Sequence, residues 1–330
     1  MKKRCLALFL CLSLLFLPAC GAQTYSAVLY NKLNTDIAIT LYSDGTDQTC
    51  EELLRECEAL LDRAEKVFSR TDKQAELALL NASAKTTVAV SAALAALLSL
   101  SLAYALETEG LFDPTAGILS ELYDITGTSP LPSEQQVQAA LGYTGYSTVL
   151  LTGETVTRPV GTVLDVGAIA KGYLAEQLVS LLLEAGVRGG VLSLGGNVAV
   201  FGKKNDGSPF RVAIRSPQKD GGTVGVLTIA GNAYISTSGA YERYRVDEAG
   251  NLYHHIFDMQ TGRPAVSDLA SVTVVASDGA RADAWSTALF VAGYERSLQL
   301  WEQANGAFDM ILIRENGEIY TTPGLSFTPA

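Results

Sequence analysis

From Tyr146 onward the chain is a succession of short β-type segments, each stopped by a glycine-rich or polar turn, and two helical stretches interrupt them. The strand signals fall at residues 148–151, 155–157, 190–194, 210–214, 224–229, 253–257, 271–276 and 311–313. The helices fall at residues 170–185 and 280–292. Runs of strand broken by helices predict an α+β fold with a mixed, largely antiparallel sheet and helices packed on it. Upstream, residues 36–42 alternate like a strand, and helices are expected at 51–67 and, after Pro130-Leu131-Pro132, at 133–141. The Ala/Leu-rich stretch 91–106 is apolar on most sides, has polar flanks and lacks an aromatic belt, so it is expected as a buried core helix rather than a membrane span. No fixed-period repeat, low-complexity tract or linker divides the chain, which predicts a single compact domain.

The charge balance narrows the function. With 24 Lys+Arg against 35 Asp+Glu, the net charge of −11 repels phosphate backbones and argues against nucleic acid as a partner. Two histidines are too few for a His-rich zinc cage. At the start, Lys2, Lys3 and Arg4 precede an apolar run over residues 6–17, too short to span a bilayer. It leads into Leu17-Pro18-Ala19-Cys20-Gly21, which resembles a bacterial lipobox; the alternative is an ordinary cleaved signal. The lipobox reading makes residues 1–19 a signal peptide and Cys20 the lipidated residue. It anchors the protein to the cell membrane, facing the extracytoplasmic side. Of the five cysteines only Cys50 and Cys57 then remain within the fold. On one helix their Cα atoms lie about 10 Å apart, beyond disulfide reach, so both are expected as buried thiols.

Six polar clusters sit at the ends of elements. Asp113-Pro114 in Gly110-Leu111-Phe112-Asp113-Pro114-Thr115 reads as a helix start, with Asp113 as cap and Pro114 in the first position. Asp165-Val166-Gly167-Ala168-Ile169-Ala170-Lys171-Gly172 reads as a strand ending at Asp165 and turning into a helix. It is either a tight connection or a site where free N–H groups and Lys171 meet an anion. Leu194-Gly195-Gly196-Asn197 is either hairpin chemistry or a close approach to a ligand. Ser236-Thr237-Ser238-Gly239 is a hydroxyl cluster of the kind that also forms turns. His254-His255-Ile256-Phe257-Asp258 holds both histidines, and a histidine beside an acid and a turn is the general-base candidate of this chain. Asp283 and Thr287 lie four apart, which puts a carboxylate and a hydroxyl on one helix face, both hard oxygen ligands suited to Mg²⁺. The plain alternative is an acid favoured by the helix N-terminus.

Taken in order, these clusters resemble the FAD:protein FMN transferase family (ApbE-like) over about residues 33–320. The resemblance implies Mg²⁺-dependent transfer of FMN from FAD to a Thr or Ser hydroxyl of an acceptor protein, with release of AMP. It assigns the metal to Asp283, Thr287 and the backbone carbonyl of Ala168. It assigns the FAD site to Leu33, Thr71, Leu111, Phe112, Asp113, Asp165, Lys171 and Phe257, and general-base help to His255 with Asp283 as the other catalytic residue. Leu33 stands where the family has Met, Thr71 where it often has Tyr, and Met259 and Ile118 where it has Pro. The implied layout is a lipidated tether over residues 20–30 and a transferase domain over 31–330, with an acceptor that is a membrane or exported redox subunit. Two alternatives share these residues: a pyrophosphatase yielding FMN and AMP, and a lipoprotein that only binds flavin.

Overall fold

An eight-stranded sheet orders the molecule, and every described strand pairing in it is antiparallel. The computed structural model describes residues 23–45, 47–218 and 221–330, so the expected signal peptide and Cys20 lie outside the described residues. The strands run in the order β1 (Gln23–Lys32), β2 (Thr35–Ser43), β6 (Gly189–Leu194), β7 (Asn197–Gly202), β10 (Ala233–Gly239), β15 (Leu269–Ala276), β16 (Phe308–Arg314) and β17 (Ile319–Thr321). Alternation sends Ile37, Ile39, Leu192, Ala199 and Phe201 to one face, against α1 (Asp47–Phe68) and α6 (Ala170–Glu184). It sends Val200, Ile235, Ile311 and Ile313 to the other, against a small sheet of β8 (Phe210–Arg215), β9 (Thr223–Ile229) and β18 (Ser326–Pro329).

The largest core lies under α7 (Gly279–Gln303). There Val272, Val274, Met310 and Leu312 meet Trp285, Leu289 and the apolar side of α3 (Ala92–Glu107). Helix α2 (Glu76–Ala82) and a three-stranded sheet of β3 (Thr87–Ala89), β5 (Thr155–Thr157) and β4 (Leu150–Thr152) close its edge. Phe257 packs between α4 (Gly117–Tyr123) and α5 (Glu134–Leu141). Two ribbons complete the chain: β11 (Tyr244–Val246) with β12 (Leu252–His254), and β13 (Phe257–Asp258) with β14 (Arg263–Pro264). As expected, α3 is a core helix, and among the described residues no helix is long and apolar enough to cross a membrane. Cys50 and Cys57 are both buried on α1, and desolvation pushes the Cys57 thiol up to about 12.

Four expectations need correction. Among the described residues the sheet already includes Gln23–Lys32, ahead of the expected start at residue 31: Tyr25, Ala27 and Leu29 alternate toward the core and pair β1 with β2, so residues 23–30 of the expected tether form an edge strand. No strand ends at Asp165, whose N–H goes to the Pro114 carbonyl (2.7 Å) and whose carboxylate takes the Gly167 N–H (2.8 Å) instead of a ladder partner. The expected strand over 253–257 is broken, because the His254 ring accepts the Ile256 N–H (3.2 Å) and Ile256 turns its carbonyl to Ala265 (2.9 Å). Helix α7 runs on to Gln303 across a non-helical Gly293, and Asp268 Oδ1 accepts the Tyr294 N–H (2.9 Å) where the helix resumes.

Arg158 is 1% exposed and faces carbonyls rather than a carboxylate. Its guanidinium donates to the carbonyls of Leu80, which also takes the Ser83 N–H, and of Asn81 (3.1 Å) and Ser83 (3.4 Å) at the end of α2. Arg158→Met keeps the volume and removes the donors, so it should cost about 1–3 kcal/mol. Urea unfolding measures this, and an unchanged midpoint would show that the end of α2 needs no such cap.

Candidate active site

The first turn of any helix has N–H groups that its own carbonyls cannot reach. In α6 one of these, Gly172 N–H, donates to Asp283 Oδ2 on α7 at 3.0 Å. In a continuous helix that N–H would close on the carbonyl four residues back, at Ala168. Among the described hydrogen bonds no backbone N–H ends on the Ala168 carbonyl. The positive end of α6 favours the Asp283 charge, which is otherwise costly at 4% exposure. The two helices come this close because Gly172 meets Gly279: a Cβ on Gly172 would overlap the Gly279 carbonyl oxygen and reach within 2.8 Å of Asp283 Cβ.

Strand β10 supplies the other wall. Ser236 and Ser238 share the face toward α7, with Ser236 Oγ 3.1 Å from Asp283 Oδ1 and Ser238 Oγ 3.3 Å from Thr287 Oγ1. Ser286 joins them, 3.2 Å from Ser236 Oγ and 2.8 Å from Ser238 Oγ. The Gly195-Gly196 pair is the hairpin between β6 and β7, with φ of 56° and 94° as a primed turn demands. It sets Asn197 opposite Ser236, so that Asn197 Oδ1 accepts from Ser236 Oγ at 3.0 Å, while the buried Asn197 Nδ2 has no partner.

The expected FAD residues stand on several elements and at different depths. Lys171 precedes Gly172 on α6, its Nζ 3.3 Å from the Gly167 carbonyl. Asp165 is gripped by Arg70 Nε at 2.9 Å, which ties the turn before α6 to the end of α1, beside the exposed Thr71. Phe68 stacks edge-on to Tyr173 at 6.1 Å along the same seam. Leu33 sits in the β1–β2 turn with φ of 54°, and Glu65 of α1 takes its N–H at 2.6 Å. Leu111, Phe112 and Asp113 form the turn that Asp165 N–H joins through Pro114. Phe112 is buried, and Asp113 is the expected cap, with its oxygens accepting from Thr115 N, Thr115 Oγ1 and Tyr146 N (2.8, 2.6 and 2.8 Å). Burial pushes the Asp113 carboxyl up against the pull of those bonds. Phe257 is buried too, against Tyr123 at 5.3 Å, so its ring shapes the wall from behind. His254 turns into the core beneath Phe290. His255 Nδ1 lies 3.2 Å from the Arg243 carbonyl, which can only accept, so Nδ1 carries the proton and Nε2 the lone pair.

The donor set is oxygen only. Asp283 reaches the first turn of α6, Thr287 lies one turn further along α7 against Ser238, and each Asp283 carboxylate oxygen has a lone pair beyond its present bond. Among the described residues no three His, Cys, Asp or Glu cluster as metal ligands, so a cation here would rest on one carboxylate and neutral oxygens. That suits a hard ion that keeps waters and takes phosphate oxygens, as Mg²⁺ does. Residues that sequence reasoning left without a role include Arg70, Glu65, Asn197, Ser286 and Glu176. The signal for the last was present: Gly172 and Gly279 are each followed four residues on by an acid, Glu176 and Asp283.

Fold and site define an α+β domain in which a buried carboxylate, Asp283, is set among hydroxyls and fixed by the N-terminus of a neighbouring helix. Residues 33–312 match the ApbE family, and the chain belongs to it. It is 32% identical to the FAD:protein FMN transferase of Treponema pallidum, covering 89% of this chain and 85% of that protein. It is 31% identical to the Escherichia coli K12 protein of the same name, covering 82% and 79%. Among solved structures, the ApbE protein of Thermotoga maritima superposes with a TM-score of 0.84 at 30% identity, over 92% of this chain and 98% of that one. The flavin transferase ApbE of Vibrio cholerae superposes with 0.81 at 26% identity, over the same shares. The family resemblance and the α+β class read from the motifs both hold.

Desolvation first, then the positive charges of Arg243 and Lys171, hold His255 down to about 4, against the pull of its bond to the Arg243 carbonyl. The ring is therefore neutral at pH 7. Between pH 4 and 6.5 the unfolded chain binds a proton at this ring that the folded chain refuses, so stability falls as pH drops through that window. His255→Asn should flatten part of this slope in urea unfolding at pH 7 and 5. A slope identical to wild type would mean that His255 titrates normally in the fold.

Proposed function

We propose that this protein transfers FMN from FAD to a threonine or serine hydroxyl of an acceptor protein, releasing AMP, with Mg²⁺ at Asp283, Thr287 and the Ala168 carbonyl. The observation that carries the reading is the Gly172–Asp283 bond, which seats a buried carboxylate on the first turn of α6 and takes from the Ala168 carbonyl the N–H that a continuous helix would give it. The transferase names of the relatives support the same reaction class. Bound there, the ion would neutralise pyrophosphate charge and polarise the phosphorus. The chain does the rest. Asp283 is already aligned by the α6 N-terminus and Ser236, so little reorganisation is needed when it is used. Lys171 adds positive charge beside an anionic substrate, and the Arg70–Asp165 pair holds the turn that presents it. His255 Nε2 accepts the proton of the acceptor hydroxyl as that oxygen bonds the flavin-side phosphorus, and the bridging P–O bond breaks toward AMP. Leu33, Thr71 and the turn from Leu111 to Asp113 border the flavin, and Phe257 backs the wall from within.

The anchor belongs to the same reading. A basic start, a short apolar run and Cys20 support a lipoprotein held on the extracytoplasmic face of the cell membrane, where membrane or exported redox subunits would be its acceptors.

Incubation with FAD, Mg²⁺ and an exported flavoprotein domain as acceptor should give acid-stable in-gel flavin fluorescence on the acceptor. Asp283→Asn keeps an oxygen for Gly172 N–H but removes the charge, so flavinylation should fall by about 10²-fold or more at modest Mg²⁺ with the fold retained. Wild-type turnover in that variant would move the metal elsewhere. AMP released from FAD and Mg²⁺ alone, with no label on any acceptor, would assign the protein to FAD hydrolysis instead.

Cys20→Ala should shift the protein from the membrane fraction to the soluble one, because the net negative chain has little attraction for anionic lipid. Retention in washed membranes would contradict the anchor.

A further inference from the structure

The contact between α6 and α7 is reciprocal. Gly172, in the first turn of α6, and Gly279, the first residue of α7, press backbone to backbone, and a Cβ on either would overlap the other's carbonyl oxygen. Four residues beyond each glycine stands an acid. Asp283 of α7 takes the Gly172 N–H of α6 at 3.0 Å, and Glu176 of α6 takes the Ala280 N–H of α7 at 2.8 Å. Each helix thus caps the other with a carboxylate one turn past the crossing. Asp278 completes the start of α7 by accepting the Arg281 N–H at 2.6 Å. Glu176 is half-buried, and desolvation pushes its carboxyl up while the Ala280 and Gly279 N–H groups pull it back.

We propose that Glu176 is a positioning residue for the Asp283 carboxylate, the half of the reciprocal cap that fixes where α7 starts and hence where Asp283 meets the Ala168 carbonyl. The inference rests on the metal reading of Asp283. Asp283 lies three residues after Ala280, less than one helical turn. A shift of α7 at Ala280 therefore moves the carboxylate directly. With Glu176 removed, the Ala280 N–H is left without that acceptor, and of the two carboxylate caps that tie α6 to α7 only the Asp283 one remains. Asp283 then gives up part of its alignment before any ion arrives, and the ordering cost falls on binding. Groups that orient a ligand from behind typically change metal affinity by about 10–100-fold when removed.

The test uses Mn²⁺ as the probe, with the full-length purified protein and free Mn²⁺ followed by electron paramagnetic resonance, so that no turnover is involved. Glu176→Ala should weaken Mn²⁺ binding by about 10-fold or more. Glu176→Gln, which keeps an oxygen acceptor for Ala280 N–H, should recover affinity to within about threefold of wild type, since the geometry rather than the charge is at issue. Thermal unfolding on the same samples separates a structural effect: a role confined to stability lowers Tm in Glu176→Ala and leaves Mn²⁺ affinity at the wild-type value, which overturns the proposal. Should Glu176→Ala not fold, Glu176→Asp, one methylene too short to reach, carries the same test with the same outcomes. Asp283→Asn is the reference. If it loses Mn²⁺ while the Glu176 variants bind normally, the positioning role is wrong and the metal reading stands. If Asp283→Asn binds Mn²⁺ like wild type, the metal reading itself has failed, and the proposal with it.

Discussion

Two backbones touching without side chains, Gly172 against Gly279, are the constraint on which the site depends. Helices normally pack 8–10 Å apart across interdigitated side chains, and at that distance a carboxylate on one cannot be shared with the backbone of the other so tightly. Here the missing Cβ atoms bring the two helix starts together, and the open N–H groups of each first turn become binding sites for the acids of the other. A burial cost that would be heavy for a lone carboxylate is offset by the N-terminus of α6 and a serine hydroxyl.

The rest of the fold holds that crossing in place. Strand β10 lies beneath it, and period two lifts Ser236 and Ser238 toward α7 while Ile235 goes to the opposite core. The Gly195-Gly196 turn sets the register that puts Asn197 against Ser236. Just before α6, Arg70 and Asp165 pin the incoming loop, and Asp165 N–H ties it to the turn carrying Phe112 and Asp113. The acidic side of α1 does the same for the β1–β2 turn, with Glu58 and Asp62 on Lys32 and Glu65 on the Leu33 N–H. Side chains read as ligand contacts are thus often also the bolts of the frame.

What was legible in the chain follows from the range of the interactions. Periodic apolar patterns announce a helix or strand from a few neighbouring residues, and the strands near 36–42, 190–194 and 271–276 and helices α1, α3, α5 and α6 stand where those patterns place them. Asp113 with Pro114 is a local cap and was equally readable. Where long-range bonds replace the local ladder, the pattern misleads. Asp165 looks like a strand end, yet its bonds run to Arg70, 95 residues away, and to Pro114. Residues 253–257 look like one strand, and a histidine ring interrupts it. Strand β1 was legible in the alternation of Tyr25, Ala27 and Leu29 but was masked by its nearness to the lipobox. Glu176 has only the glycine-then-acid spacing it shares with Gly279 and Asp283, and that spacing gains a meaning only through a partner 104 residues on.

The central claim is that the start of α6 and the Asp283 carboxylate form one cation site. Diffraction from crystals grown with Mn²⁺, collected at the manganese edge, tests it most directly. The account predicts an anomalous peak bonded to Asp283, Thr287 Oγ1 and the Ala168 carbonyl, with Gly172 N–H still on Asp283. Manganese found on other residues, with the Ala168 carbonyl unbound, would contradict it.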